Sequence, residues 1–316
     1  MRNTWLRLVQ VSVTIGLMAI LARAVNWAEL SVVIQQIDWL TLWIAVLIWF
    51  GSHCSNVIRW RMILPGSPAG YSRLLSYYGA GLFANNFLPT GIGGDGVRVA
   101  LLSRDAGWLQ AIVSVGADRA IGLASFSVLI LVGIGLGVPP HLALGEVAGA
   151  DQYSHVVIGV VSMIAIATIV GALATRPRWQ PRVLDWWSRW RVYQRNRSAG
   201  QWLWLLGVTY GLSVVSNLLL AVAQWIIMRA LTIEVPFGAA LWAAILVALS
   251  LLLPIAVNGL GVMEGVYVIV LTRYQVPLTS AVAVAVLIRV VSIGFSLLGG
   301  LMSLRWRPSS SEGPIA

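Results

Sequence analysis

Two glycine-rich stretches hold the residues best suited to chemistry. The first reads Phe87-Leu-Pro-Thr-Gly-Ile-Gly-Gly-Asp-Gly-Val97 and is followed by Arg98. The second reads Leu253-Pro-Ile-Ala-Val-Asn-Gly-Leu-Gly-Val-Met-Glu-Gly-Val266. Glycines at 91, 93 and 94 let backbone N–H groups come close to a ligand. A helix starting near Asp95 would aim its first N–H groups and its dipole at the loop, which suits an anion. The stretch is not a nucleotide P-loop, because no Gly-Lys-Ser/Thr follows, and Pro89 stands where a dinucleotide fingerprint needs a strand. The plainer alternative is a tight turn that requires glycine, and both readings hold together. Asp95 and Glu264 suit helix starts for the same dipole reason; a coupling-proton site or a buried pair with arginine are the other roles open to them.

The basic candidates are Arg98, Arg119 and Arg289. Arg98 follows Asp95 by three residues, one helical turn on, and can pair with it or offer its planar fork to phosphate. Asp118 and Arg119 precede an apolar run, so snorkelling from a helix end is the alternative for Arg119. Arg289 lies well inside the apolar stretch 274–304, where an isolated arginine should face the protein interior, with Glu264 or a ligand anion as partner. The amides Asn85, Asn86, Asn217 and Asn258 can satisfy carbonyls freed where helices break. Asn258, inside the second glycine-rich stretch, is the best ligand candidate among them, with Asn86 as its counterpart in the first. Cys54 and the three histidines form no metal-ligand spacing and no nucleophile–base arrangement, so neither metal nor cofactor is expected.

These residues need a frame, and composition names it. The chain has 316 residues, is 59% hydrophobic and only 10% charged, and has a mean hydropathy of +0.84. A soluble domain carries about a quarter charged residues, so a single soluble core and a disordered chain are both excluded. An all-α polytopic membrane protein is left. All 21 basic residues are arginine, and the net charge of +10 reads as cytoplasmic loops facing anionic headgroups. Residues 176–197 interleave Arg with Trp179, Trp186, Trp187 and Trp190, which reads as an amphipathic cytoplasmic segment on the membrane surface; nucleic acid is not expected as a partner.

Charge-free runs predict full spans near 8–22, 39–58, 120–145, 152–175, 198–228 and 274–304, the first as a retained signal anchor. Arginines flank 74–94 on both sides, and by the positive-inside bias that stretch should enter and return on the cytoplasmic side. The broken stretch 235–272 should do the same from the other side. The expectation is six full spans plus two re-entrant hairpins, with eight full spans as the competing count and both termini cytoplasmic. The broken stretches also repeat: Asp95 and Glu264 each lie nine residues before an arginine, and that arginine lies fifteen or sixteen before Arg119 or Arg289. With opposite entry faces, copies at roughly 74–137 and 238–304 form an inverted repeat, as in many secondary transporters. The alternative is that Gly and Pro are simply common in membrane helices.

The run from Asn85 to Arg98, then Asp118-Arg-Ala-Ile-Gly122, then Pro254 to Gly265, resembles the lysylphosphatidylglycerol synthase transmembrane family, whose members are also called flippase-like. The likeness covers nearly the whole chain. It implies an inner-membrane protein with paired re-entrant segments that moves lipids between leaflets, such as aminoacylated phosphatidylglycerol or polyprenyl-phosphate-linked sugars. Bifunctional members carry a soluble aminoacyltransferase domain after the membrane part. Only twelve residues follow Leu304, so lipid aminoacylation is not expected of this chain. The leading expectation is a transporter for an anionic phospholipid or lipid-linked sugar. A membrane enzyme acting on a lipid phosphate and a non-transporting partner of a separate lipid synthase are the alternatives. The enzyme reading needs a second acid or a metal, which the sequence does not display.

Overall fold

The computed structural model describes residues 26–64, 69–86, 93–136, 198–251 and 257–304, with isolated positions before residue 26. Every regular element among the described residues is helical. The expected spans 8–22 and 152–175, the segment 176–197 and Gly91 lie outside them.

A short helix, α1 (Trp27–Gln35), leads into the span α2 (Trp39–Ile63). Asp38 starts α2 by accepting the N–H groups of Leu40 and Thr41, which the first turn would leave unpaired. Then come α3 (Tyr71–Asn85), α4 (Gly93–Ala106), α5 (Trp108–Ala124) and α6 (Phe126–Gly135). The second half holds α7 (Ala199–Ala230), α8 (Phe237–Ser250), a single 3₁₀ turn at Val257–Gly259, α9 (Val262–Thr272) and α10 (Leu278–Leu304).

Four helices are long and apolar enough to cross a membrane: Trp39–Ile63, Trp108–Gly135, Gly200–Ala230 and Leu278–Ser303. With its expected helical composition, the chain is an all-α polytopic membrane protein. The second of these spans joins α5 and α6 through a kink at Ser125, where Asn217 of α7 donates to the Gly122 carbonyl and to Ser125 Oγ. A membrane amide thus serves a carbonyl near the helix irregularity, as amides at broken helices are expected to. This span begins earlier than the sequence suggests, at Trp108 rather than near residue 120. Arg119 therefore sits mid-helix and not at a helix end.

The helices flanking the two glycine-rich stretches are short. With 15 and 14 residues in α3 and α4, and 14 and 11 in α8 and α9, each is about 16–22 Å long, against a hydrocarbon core of about 30 Å. α3 packs on α4, and α8 on α9. The first pair is closed by glycines: a Cβ on Gly94 would lie 2.1 Å from the Gly81 carbonyl oxygen. In the second break, Asn258 (φ 48°) and Gly261 (φ 82°) both take left-handed backbone, which glycine adopts freely and asparagine tolerates.

The halves are joined along two seams. α2 and α7 lie side by side and antiparallel: the Asp38 N–H donates to the Ala230 carbonyl, Ser52 Oγ to that of Ser216 and Ser55 Oγ to that of Leu212. α3 packs on α10, with Gly79 against Gly299, Phe83 against Gly300 and Asn86 against Ser296. A Cβ on Gly79 would stand 2.5 Å from the Gly299 Cα, so small residues let these backbones touch. Reciprocally, α8 packs on α6, where the Trp242 indole covers Gly133. Thus, among the described residues, the first short helix of each half rests on a long span of the other, α3 on α10 and α8 on the span Trp108–Gly135.

Candidate functional site

In the first half, five charged side chains from three helices form one buried network. α4 supplies Asp95 in its first turn and Arg98 one turn later; α5 supplies Asp118 and Arg119; α2 supplies Arg59. Asp118 takes Arg59 on Oδ1, through Nε at 2.9 Å and a terminal nitrogen at 2.7 Å, and Arg98 on Oδ2 at 2.9 Å. Asp95 is likewise shared, by Arg98 at 3.2 Å and by Arg119 Nε at 2.6 Å. Arg59 also donates to Ser213 Oγ of α7, tying the network to the second half. The Arg98 guanidinium lies 4.1 Å from the Trp60 ring centroid and 5.0 Å from that of Tyr78. Such stacking on aromatic faces adds about 2 kcal/mol when desolvated and fixes the side chain in place.

Burial is uneven. The side chains of Arg59 and Arg98 are 6% and 5% exposed, whereas that of Arg119 is 46% exposed. Arg119 is thus the most exposed member of the network. Among the described residues the buried Nε of Arg98 has no hydrogen-bond partner. The neighbouring Tyr78 hydroxyl meets His53 Nδ1 at 3.1 Å, and His53 Nε2 accepts from the Trp49 indole at 2.9 Å. A neutral imidazole with Nε2 accepting carries its proton on Nδ1 and donates it to Tyr78. His53 also stacks on Phe295, so it is a packing bridge between α2, α3 and α10.

Among the described residues, the second half holds one ion pair. Arg289 of α10 gives Nε to Glu264 Oε1 at 2.5 Å and a terminal nitrogen to Oε2 at 3.1 Å. Its terminal nitrogens also reach the carbonyls of Asn258 and Gly259, at 3.2 and 3.1 Å. These belong to the helix break, where carbonyls lack helical partners. Glu264, third residue of α9, also accepts the Gly261 N–H at 2.8 Å and so closes the helix start. Its capping role and its ion-pair role hold at once.

The two broken stretches meet at Asn86 and Asn258. Asn258 Nδ2 donates to Asn86 Oδ1 at 3.0 Å, and Asn86 Nδ2 donates to Ser296 Oγ of α10. Asn85 turns the other way, and its Oδ1 takes the Gly94 N–H at 2.6 Å. That amide of the α4 N-terminus is used internally, and Gly94 itself serves the α3–α4 contact. Gly93 opens α4, and Gly96 faces open space. The anion-binding capacity of this region therefore rests on arginine side chains more than on the helix end.

A family model described as "Lysylphosphatidylglycerol synthase TM region" matches residues 7–300, nearly the whole chain. The chain belongs to this lysylphosphatidylglycerol synthase transmembrane family. No curated protein matches it. Membership places the two clusters in a multi-pass membrane protein of a family tied to lipid handling.

Of the expected site residues of this family member, Asp95, Arg98, Asp118 and Arg119 come together in the first cluster, Glu264, Arg289 and Asn258 in the second, and Asn86 bridges them. Arg59 was missed, and it is central. In the sequence it stands with Arg61 in a flank after an apolar run and reads as a topology signal. In the structure α2 continues to Ile63, and Arg59 is buried one turn inside its end. The available signal was Trp60: an arginine beside a bulky aromatic at the end of a long apolar helix need not lie in a loop.

Proposed function

We propose that this protein moves an anionic, phosphate-bearing lipid between the leaflets of the cell membrane. The headgroup passes through the polar interior around the two clusters while the acyl or prenyl chains stay in the bilayer. In this reading α3–α4 and α8–α9 are re-entrant hairpins that dip from opposite leaflets and meet at midplane, as broken helix pairs do in secondary transporters. The observation that carries it is the contact of the two broken stretches, Asn258 to Asn86, beside arginine-bearing clusters from each half. Short helices support the dip, because none of the four is long enough to cross alone. The antiparallel run of α2 against α7, each the helix leading into its hairpin, supports the inversion. So does the reciprocal packing of α3 on α10 and α8 on α6.

Arginine placement sets the orientation: residues 176–197 and both termini lie in the cytoplasm. The first hairpin then enters from the cytoplasmic leaflet and the second from the outer one. The test is leaflet exchange of fluorescent anionic lipids in reconstituted vesicles, with Arg119→Gln alongside. The wild type should raise exchange above protein-free vesicles and Arg119→Gln should abolish it. Equal exchange in all three samples for every anionic lipid tried sinks the transport reading.

A further inference from the structure

We infer that Asn217 is a positioning residue for transport: it holds the kink at Ser125, and through that kink the second hairpin is set against the first charge cluster. The inference rests on the transport reading and names the joint between its two halves.

The span Trp108–Gly135 contains no proline. A sharp bend without proline needs Gly with Ser, or a side chain that enters the ladder of backbone hydrogen bonds. Both are present here. Ser125 Oγ donates to the Gly122 carbonyl at 2.7 Å and accepts from Asn217 Nδ2, also at 2.7 Å. Two residues beyond Gly122, the Ala124 carbonyl accepts from Ser127 Oγ at 2.7 Å, with the Tyr210 hydroxyl 3.4 Å away. The ladder is stretched at this point. The Leu129 N–H reaches the Ser125 carbonyl at 3.4 Å, against about 2.9–3.0 Å for a relaxed bond. A proline kink is permanent, whereas this one lasts only while side chains draw the carbonyls aside. Ser125 is fully buried, so bulk water does not replace the amide that holds it.

The donors come from α7 in one stripe. Tyr210, Ser213 and Asn217 stand at i, i+3 and i+7 and share a face. Tyr210 and Asn217 serve the kink, while Ser213 between them accepts from Arg59, which holds Asp118. α7 thus registers the charge cluster and the kink from positions one turn apart. On one side of the kink, α5 carries Asp118 and Arg119 into the cluster. On the other, Gly133 of α6 lies under the Trp242 indole of α8, which is 3.1 Å from where a Cβ would stand. A change of angle at Ser125 therefore moves the second hairpin relative to the first cluster.

The test measures distances by double electron–electron resonance between spin labels on the full-length protein in detergent, in a Cys54→Ser background. Ile112→Cys with Leu131→Cys brackets the kink, and Ile112→Cys with Ile269→Cys reports the second hairpin; all three native side chains are exposed. A straight helix would separate positions 112 and 131 by about 28 Å at about 1.5 Å per residue, and a kinked one by less. Asn217→Leu keeps the side-chain size and removes the donor. It should lengthen the first distance toward the straight value and shift the second. Leaflet exchange in vesicles should fall at least about fivefold, which corresponds to about 1 kcal/mol. Ser125→Ala cuts the same bond from the other side and carries the same expectation where Asn217→Leu fails to fold. Thr209→Val is the control, because Thr209 Oγ1 bonds carbonyls of its own helix, those of Leu205 and Leu206. It should change neither the distances nor the exchange rate. Distances that stay at their wild-type values in both Asn217→Leu and Ser125→Ala overturn the inference. So does a first distance that lengthens while the second stays, or shifted distances with exchange at the wild-type rate. A wild type that exchanges no lipid sinks the transport reading instead, and the distances alone then decide whether Asn217 holds the joint.

Discussion

In the first half the pair Asp95–Arg119 sits beside three more buried charges; in the second, Glu264–Arg289 sits among backbone carbonyls and apolar side chains. The pairs themselves correspond closely. Each acid is the third residue of its helix, and each arginine follows 24 or 25 residues later, bonding through Nε. What surrounds them differs position by position. Three residues after the acid stands Arg98 in one half and Tyr267 in the other, both buried. Just before the arginine stands Asp118 in one and the fully buried Ile288 in the other. The second half is thus a neutral version of the first, with a tyrosine hydroxyl that has no hydrogen-bond partner among the described residues. The same frame supports a charged, partly open cluster and a closed ion pair. Charge, more than backbone geometry, separates their roles.

The largest expected effect comes from the residue that only the first half has. Asp118→Ala takes from Arg59 the carboxylate that it holds through two nitrogens and from Arg98 one of its two carboxylates, leaving Arg59 on Ser213 and Arg98 on Asp95. Removing one partner of a buried pair costs about 3–5 kcal/mol, and this change should fall at or beyond the upper end. Glu264→Ala strands only Arg289, which keeps the carbonyls of Asn258 and Gly259, so its loss should be smaller. Thermal unfolding of the two variants in the same detergent measures the difference. Equal losses would mean that the extra charges of the first cluster are not coupled as the geometry indicates.

A steric change comes next. Gly79→Leu drives a side chain into Gly299, where even a Cβ comes within 2.5 Å of the facing Cα. Overpacking of this kind costs about 1–3 kcal/mol, and the strain falls on the contact between the first short-helix pair and α10. Gly96→Leu is the matched control, because nothing lies within 4 Å of a Cβ there. Loss of thermal stability in the first variant and not the second locates the seam. If Gly79→Leu is as stable as the control, α3 and α10 do not touch there in the membrane.

The all-helical class, four of the spans and the two broken stretches were legible because each rests on a local signal. Long apolar runs mark spans, and clustered Gly, Pro and Asn mark breaks. The pairing of Arg289 with Glu264 was legible too, since an arginine deep in an apolar stretch needs an interior partner and one acid lay at a helix start nearby. The charge network was not. Arg59 joins it through α2, which is distant in sequence, and only packing brings α2 against α5. The purpose of the glycines was also hidden. Gly94 could serve a ligand or a neighbouring helix, and the choice depends on Gly81, thirteen positions away on the facing helix. Helical periodicity says which residues share a face and nothing about what that face meets.

The smallest effect tests the link between the halves. Asn258→Ala removes the donor to Asn86 Oδ1, while Asn86 retains Ser296 through its Nδ2. The carbonyl of Asn258 still accepts from Arg289, so the second cluster stays intact. A single hydrogen bond between neutral side chains contributes about 1 kcal/mol. Part of the measured loss will also reflect the left-handed backbone at this position, which alanine tolerates less well than asparagine. Asn258→Gly separates the two contributions, because glycine relieves the backbone and still lacks the amide. If the tip contact matters for exchange, both variants should change the rate of leaflet exchange in the same direction, and Asn86→Ala should match them. A change confined to Asn258→Ala would instead assign the effect to backbone strain, and the two halves would then move independently at their tips.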